Sequence, residues 1–169
     1  MIHSAAEIPP EALAFREGMS RLGAAVNLIA TDGPGGKHGL TVSAVCSVTD
    51  CPPTLLVCIN CNAYAHDAFV ENGVLSVNVL SDSHRELSQA FSRWSGEDRF
   101  ARAEWVKRET GSPCLADAPV CFDCRIVSIL ERGTHSVLFG EVVSTVIGSG
   151  RVGGLIWFSR DYHPVEKRG

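Results

Sequence analysis

A closed or partly closed antiparallel β-barrel, mainly β with a few short helices, is the fold class this sequence predicts. Three observations predict it. Apolar, β-branched runs of strand length recur along the chain, and clusters of Gly, Pro, Asn and Asp separate them. The stretches with helical spacing are few and short. The long crossover helices that parallel βαβ units need are missing.

Residues 11–22 place Leu13, Ala14, Met19 and Leu22 near helical spacing, with Pro9 and Pro10 before them and Gly23 after, so one amphipathic helix is expected. Residues 24–31 read as a strand. The turn chemistry of residues 32–36 then leads into a second strand at 40–48, giving a hairpin with a wide loop. After Pro52 and Pro53, residues 54–59 are nearly all apolar, as in a central strand buried on both faces. Residues 63–71 form a short helix that turns Ala65, Ala68 and Phe69 inward, stopped by Asn72-Gly73 before a strand at 74–80. A further helix is expected at 83–91. Residues 92–103, polar and Arg-rich, read as a mobile loop. Three more strands, 120–131, 136–147 and 155–158, follow, with Gly-rich separators at Gly133 and 148–154.

At 169 residues the chain is one domain, 1–169, able to bury roughly two-thirds of its unfolded surface. Apolar residues are 45% and charged residues 20%, which argues for a packed core rather than disorder. A net charge of -4 with no basic stripe makes nucleic acid an unsuitable partner. No apolar run is long enough for a membrane helix, and residues 1–10 lack the features of a secretory signal, so a cytoplasmic location is expected. Seven cysteines are an odd number, read as small buried hydrophobes in a reducing compartment rather than as a disulfide framework.

The chemistry concentrates at residues 39–49, where Gly39, Thr41, Ser43, Val45, Ser47 and Thr49 alternate. On one strand these would share a face carrying hydroxyls and little bulk. Such a face can hydrogen-bond a flat, polar-edged ligand or a phosphate. The same alternation also describes an ordinary Ser/Thr edge turned to solvent.

The whole run 39–60, a Ser/Thr-rich strand, the turn Thr49-Asp50-Cys51-Pro52-Pro53 and the strand ending at Asn60, resembles the short-chain flavin reductase family, the reductase components of two-component flavin-dependent monooxygenases. The likeness continues through 15–29, 74–80, 87–91, 113–125, Gly133-Thr134-His135, 139–142 and 155–163. Within the family it is greatest to the flavin reductases of pyrimidine utilisation, through 23–27, 43–50 and 157–163, with the reductases of 4-hydroxyphenylacetate monooxygenases next.

This resemblance implies an FMN-binding type of split β-barrel with Greek-key order, a homodimer that binds FMN or FAD, uses NADH or NADPH, and passes reduced flavin to a monooxygenase. It implies that Thr41, Val42, Ser43 and Ala44 line the isoalloxazine and that Ser47 lies toward the ribityl chain or phosphate. Cys58, Ile59 and Asn60 would wall the groove, and Asn60 with the helix start at Ala65 would offer phosphate donors. Cys61 and Asn62 stand where relatives often carry basic residues, leaving Arg85 or a partner subunit to neutralise charge. His135 is implied beside the nicotinamide or flavin, positioning the donor or stabilising the reduced ring; a surface histidine in a Gly-flanked turn is the plainer reading. Arg160, Tyr162 and His163 would close over the flavin, or simply dock a last strand. A split-barrel protein that binds flavin or haem without turnover is the alternative function.

Two other patterns carry less. Cys58-x-x-Cys61 and Cys121-x-x-Cys124 have zinc-knuckle spacing, yet Cys58 and the second pair fall within strands, where i and i+3 point to opposite faces. No metal site is expected, nor a redox pair opening a helix. Residues 148–154 are glycine-rich but follow no strand into a helix, so they read as a hairpin loop rather than a dinucleotide cradle. No hydrolase signature is visible.

Overall fold

The computed structural model describes residues 8–93, 98–149 and 153–166. Among the described residues twelve strands dominate: β1 (Ala24–Ala25), β2 (Asn27–Thr31), β3 (His38–Val42), β4 (Val45–Asp50), β5 (Pro53–Asn60), β6 (Val74–Val79), β7 (Trp105–Lys107), β8 (Pro113–Leu115), β9 (Val120–Arg132), β10 (His135–Ile147), β11 (Gly153–Phe158) and β12 (Asp161–Glu166). Three helices accompany them: α1 (Pro10–Ser20), α2 (His66–Asn72) and α3 (Arg85–Phe91).

Seven strands form one antiparallel sheet in the order β3-β2-β6-β9-β10-β5-β4. Its two edge strands, β3 and β4, are consecutive in the chain and joined only by Ser43 and Ala44. Three residue steps span at most about 10 Å. The sheet must therefore curl until its opposite edges nearly meet, which gives the expected barrel-like architecture with a split between β3 and β4. The interior holds Ile29, Leu55, Val57, Ile59, Phe69, Leu75, Val77, Cys124 and Leu138. A second apolar layer lies on the other side of β2, where Val26, Leu28 and Ala30 pack against Leu87, Phe91, Phe100, Leu115 and Leu155.

Several expectations are corrected here. The predicted continuous strand across 40–48 breaks at Ser43-Ala44, and its two halves lie on opposite edges of the sheet. Thr41, Ser43, Ser47 and Thr49 thus do not share one strand face. Strand β5 is next to an edge, and its burial alternates: Leu55, Val57 and Ile59 face the interior while Thr54, Leu56 and Cys58 are half-buried outside. The strand buried on both faces is β2, because helix α3 and strand β8 cover its outer side. Residues 94–97 of the predicted mobile loop lie outside the described residues, but Arg99–Arg102 form a 3₁₀ turn that drives Phe100 into the core. The stretch 148–154 does not close a hairpin, since β10 and β11 belong to different sheets; its residues 150–152 lie outside the described residues. The cysteines are not uniformly buried: Cys114, Cys121 and Cys124 are, Cys58 and Cys61 are half-buried, and Cys46 and Cys51 are exposed.

Helix α2 ends as predicted, with Gly73 at φ +65° in the left-handed region. Asn72 just before it ties the wide β2–β3 loop to the barrel. Its side chain accepts from Gly35 N–H at 2.7 Å and donates to Gly36 O at 2.9 Å and Thr31 Oγ1 at 3.0 Å. Asn72→Ala takes this partner from Gly35 N–H and Gly36 O, while Thr31 keeps its bond to Val74 O, and is expected to cost about 1–3 kcal/mol in urea unfolding. A loss under ~0.5 kcal/mol would show that water replaces the side chain.

Helix α1 buries none of its residues. It is held by Ser159 N–H donating to Ser20 O at 2.6 Å and by an ion pair of Arg160 with Glu17 at 2.8 Å. The hydrogen-bonded Arg160 guanidinium, with help from Arg21, holds the Glu17 carboxyl below the ordinary carboxylate range. A carboxylate depressed in the folded state supports the contact above its unfolded pKa and loses it as pH falls through the folded value. The Glu17 side-chain NMR titration is therefore expected to have a midpoint below that of an unpaired glutamate, and to move up in Arg160→Gln. An unmoved midpoint would mean the pair does not persist in solution.

Candidate flavin cleft

The corner where β3 gives way to β4 opens onto a cleft. Its inner chamber, about 210 Å³, is lined by Val26, Thr41, Val42, Ser43, Ser92, Trp157 and Tyr162. Across Ser92, Trp157 and Tyr162 it continues into an outer chamber of about 500 Å³ lined also by Gln89, Arg93 and Asp161. An aromatic wall with a hydroxyl rim suits a flat, polar-edged ligand, and the outer chamber offers a guanidinium and an amide to its tail.

Each wall follows from local structure. In β11 and β12, Trp157 and Tyr162 are register partners, and their rings meet edge-to-face at 4.9 Å. Tyr162 is fixed from the other side by helix α3: its hydroxyl lies 2.9 Å from Ser88 Oγ, and the Arg85 guanidinium sits 5.7 Å from its ring centre while donating to Tyr162 O at 3.3 Å. Thr41 donates its hydroxyl proton to Ser88 O at 2.7 Å, so only its lone pairs remain for a ligand. The opposite end of β3 is closed by Gly39, where a Cβ would come within 2.8 Å of Phe91. Tyr64 donates its hydroxyl to Gly39 O, and the buried Arg99 guanidinium stacks on both Tyr64 and Phe91, at 4.7 and 4.9 Å from the ring centres.

The predicted site residues divide into groups. Thr41, Val42, Ser43 and Tyr162 line the cleft together. Ala44, the next residue, accepts from Cys58 N–H at 3.0 Å and so links the cleft to the outer face of β5. On that face Cys58 and Asn60 are joined by His135, the register partner of Asn60. His135 is exposed, its Nδ1 2.9 Å from Thr134 Oγ1, and does not border the cleft within one chain. Ser47 is exposed on the edge strand β4, apart from the cleft lining.

Three of the predicted side chains point elsewhere. Ile59 is 2% exposed and faces the barrel interior, so only its main chain can border a ligand. Ala65 is fully buried at the start of α2, against Phe69, turned inward as its helical spacing predicts. Arg160 is turned to Glu17 of α1, and His163 alternates to the face opposite Tyr162, its Nε2 3.1 Å from Phe158 O. Ser92, Gln89 and Arg93 were not read from the sequence. The helical spacing of Arg85, Ser88 and Gln89 on one face of α3, continued by Ser92 at its C-terminal cap, is the signal that could have found them.

Neither CxxC pair assembles a metal site. Cys124 points into the barrel and its thiol is pushed up to about 12, mainly by burial, whereas the buried Cys121 thiol is pushed up by its neighbour Cys114 on β8 and by burial. Among the described residues no group of three or more His, Cys, Asp or Glu side chains is placed to hold a metal. No described helix is long and apolar enough to cross a membrane.

A curled antiparallel sheet split at one corner, with an aromatic, hydroxyl-rimmed cleft at the split, defines a flavin-reductase-like split-barrel protein. Residues 19–166 match the family described as flavin reductase like domain, and the chain belongs to it. Over 152 residues it is 55% identical to the FMN reductase (NADH) RutF of Ancylobacter novellus, covering 89% of this chain and 83% of that one. It is 52% identical over 155 residues to the protein of the same name from Pantoea ananatis, covering 91% and 81%. A candidate flavin reductase of known structure from Haemophilus somnus 129pt superposes with a TM-score of 0.86 at 45% identity, covering 94% of this chain and all of that one.

Proposed function

We propose that this protein is an NADH-dependent flavin reductase that binds FMN, or FAD, in the cleft at the β3–β4 corner. The carrying observation is that cleft itself, seated in a member of the flavin reductase family whose relatives are named for NADH and FMN. When bound, the flavin supplies a two-electron acceptor for the nicotinamide hydride. The chain's own residues hold and orient it. Trp157 and Tyr162 present an apolar wall, Thr41 and Ser92 offer hydroxyl oxygens, and the corner at Ser43-Ala44 brings the backbone close to the ring edge. Gln89 and Arg93 receive the anionic tail, and Arg85, which secures Tyr162, adds positive charge nearby. Asn60 and His135, on the adjoining outer face, position the nicotinamide. The reduced flavin then leaves for a monooxygenase, so the flavin is handled as a substrate.

NADH oxidation is expected to require added flavin and to run fastest with FMN, compared with FAD and riboflavin in one assay. No flavin-dependent oxidation of either nicotinamide would overturn the proposal. A tightly held yellow chromophore without NADH consumption would favour a binder without turnover.

A homodimer in the cytoplasm completes this reading. Supporting the dimer is the outer face of β4, β5, β9 and β10, which leaves Val48, Val127 and Leu130 exposed beside half-buried Leu56, Val137 and Phe139. Leu130→Glu is expected to shift the mass seen by light scattering from two chains to one. An unchanged dimer would move the interface elsewhere.

A further inference from the structure

Four side chains next to Asn60 and Thr134 form a hydrogen-bonded line that the reductase reading does not use. Cys61 Sγ lies 3.5 Å from Ser136 Oγ, Ser136 Oγ lies 2.9 Å from His66 Nε2, and His66 Nδ1 lies 2.9 Å from Asp67 Oδ1. The polarity of the line follows from its last member. An ionised carboxylate only accepts, so Asp67 takes the Nδ1–H, and His66 Nε2 is left with its lone pair facing Ser136. Ser136 donates to that nitrogen and its oxygen accepts from the Cys61 thiol. The line can carry a proton in one direction, from sulfur to imidazole.

Burial decides which end reacts. Ser136 is fully buried and His66 nearly so, which rules the serine out as a nucleophile for anything in solution. Cys61 is half-buried and the Asp67 side chain is fully exposed, so the sulfur is the reachable nucleophile. Cys61 also sits beside the proposed nicotinamide-positioning pair: its N–H donates to Thr134 O at 2.9 Å, and it directly follows Asn60, the register partner of His135.

We propose that Cys61 is a peroxide-reactive thiol, deprotonated by His66 through Ser136. The thiol proton passes to Ser136 Oγ as the serine proton passes to His66 Nε2, leaving a thiolate opposite an imidazolium. The thiolate attacks hydrogen peroxide: an S–O bond forms, the O–O bond breaks, and sulfur is oxidised as the peroxide is reduced. The leaving hydroxide recovers the proton from His66 by the same route, so the products are a sulfenic acid and water. The oxidant is chemically close at hand on the reductase reading, because reduced flavin released without an acceptor passes two electrons and two protons to dioxygen and yields hydrogen peroxide.

The test treats the full-length protein with hydrogen peroxide in the presence of dimedone and quantifies each cysteine's adduct by peptide mass spectrometry. Cys61 is expected to be trapped faster than Cys46 and Cys51, although those two are the more exposed. His66→Gln and Ser136→Ala are expected to slow trapping at Cys61 by at least about tenfold while leaving Cys46 and Cys51 unchanged; the buried Cys114, Cys121 and Cys124 staying untrapped reports that the variant is folded. Should a buried variant fail to fold, Asp67→Asn, altered only at an exposed side chain, is expected to slow Cys61 severalfold. Trapping that follows exposure alone, or a Cys61 rate indifferent to these substitutions, would overturn the proposal. The labelling uses no flavin and no nicotinamide, so its result is independent of whether the reductase assay succeeds.

Discussion

Phe91→Ala is expected to lower the unfolding free energy by about 3–5 kcal/mol, read from the urea midpoint at unchanged slope. Phe91 is fully buried where three parts of the chain meet. Its ring packs edge-on against Phe100 at 5.0 Å and against Trp105 at 6.0 Å, with the Arg99 guanidinium 4.9 Å from its centre. Removing it withdraws apolar area from the core and leaves a cavity that cannot collapse. On one side the floor is Gly39 of a paired strand, and on the other is the 3₁₀ turn, pinned by Trp105 Nε1–H donating to Phe100 O at 2.9 Å. The guanidinium stacked on Phe91 loses one of its two aromatic faces in a buried setting, which adds to the cost. A loss near 1 kcal/mol would mean that the turn simply settles onto β3, and that the aromatic cluster is not the organising contact on this side of the barrel.

That cluster also shows where the chain was readable. The expected helix over 83–91 carried Leu87 and Phe91 on one face, and that face does meet the core. Phe100 stood alone among charged residues in a stretch read as loop, because one apolar side chain has no periodicity; its burial depends on Trp105 and Phe91, five residues later and nine earlier. The same contrast runs through the barrel. Long strands such as β9 and β10, and the Asn72-Gly73 stop, are local signals and were visible. The three-residue strands β7 and β8 are too short to show alternation. The tight turn at Ser159 and Arg160 uses positive φ at two residues other than glycine, so it lacks the usual Asn-Gly mark.

The candidate site was legible as a segment but not as a geometry. Residues 39–60 do contain the cleft corner, yet nothing in Thr-Val-Ser-Ala-Val announces a break, since no Gly or Pro punctuates it. What breaks it is the closure of the sheet, a long-range property: β3 pairs with β2 and β4 pairs with β5, so the chain must leave one edge and join the other. The hydroxyls assigned to one face were therefore divided between two edges. Ile59 is expected in the groove because a sequence run does not say which alternate residues face inward. The barrel interior, which needs Ile59, decides that.

Because the corner is the one place where both edges meet, it is also where a single bulky side chain has the largest functional effect. Ser43→Trp is expected to raise the flavin KM by at least about tenfold, equivalent to ~1.4 kcal/mol of lost binding, while leaving the melting temperature unchanged. Ser43 is exposed and makes no side-chain hydrogen bond among those seen in the described residues, and the main-chain bond from Cys58 N–H to Ala44 O does not depend on its side chain. The fold has no reason to weaken. The inner chamber, about 210 Å³ and bordered by Ser43, cannot hold both an indole and a flat tricyclic ligand. FMN, FAD and riboflavin should lose affinity alike, since they share the ring and differ only in the tail that reaches Gln89 and Arg93. An unchanged kcat/KM for all three would remove the corner from the binding site. A loss confined to FMN and FAD would instead place the tail, not the ring, at Ser43, and would reverse the orientation assigned to the two chambers.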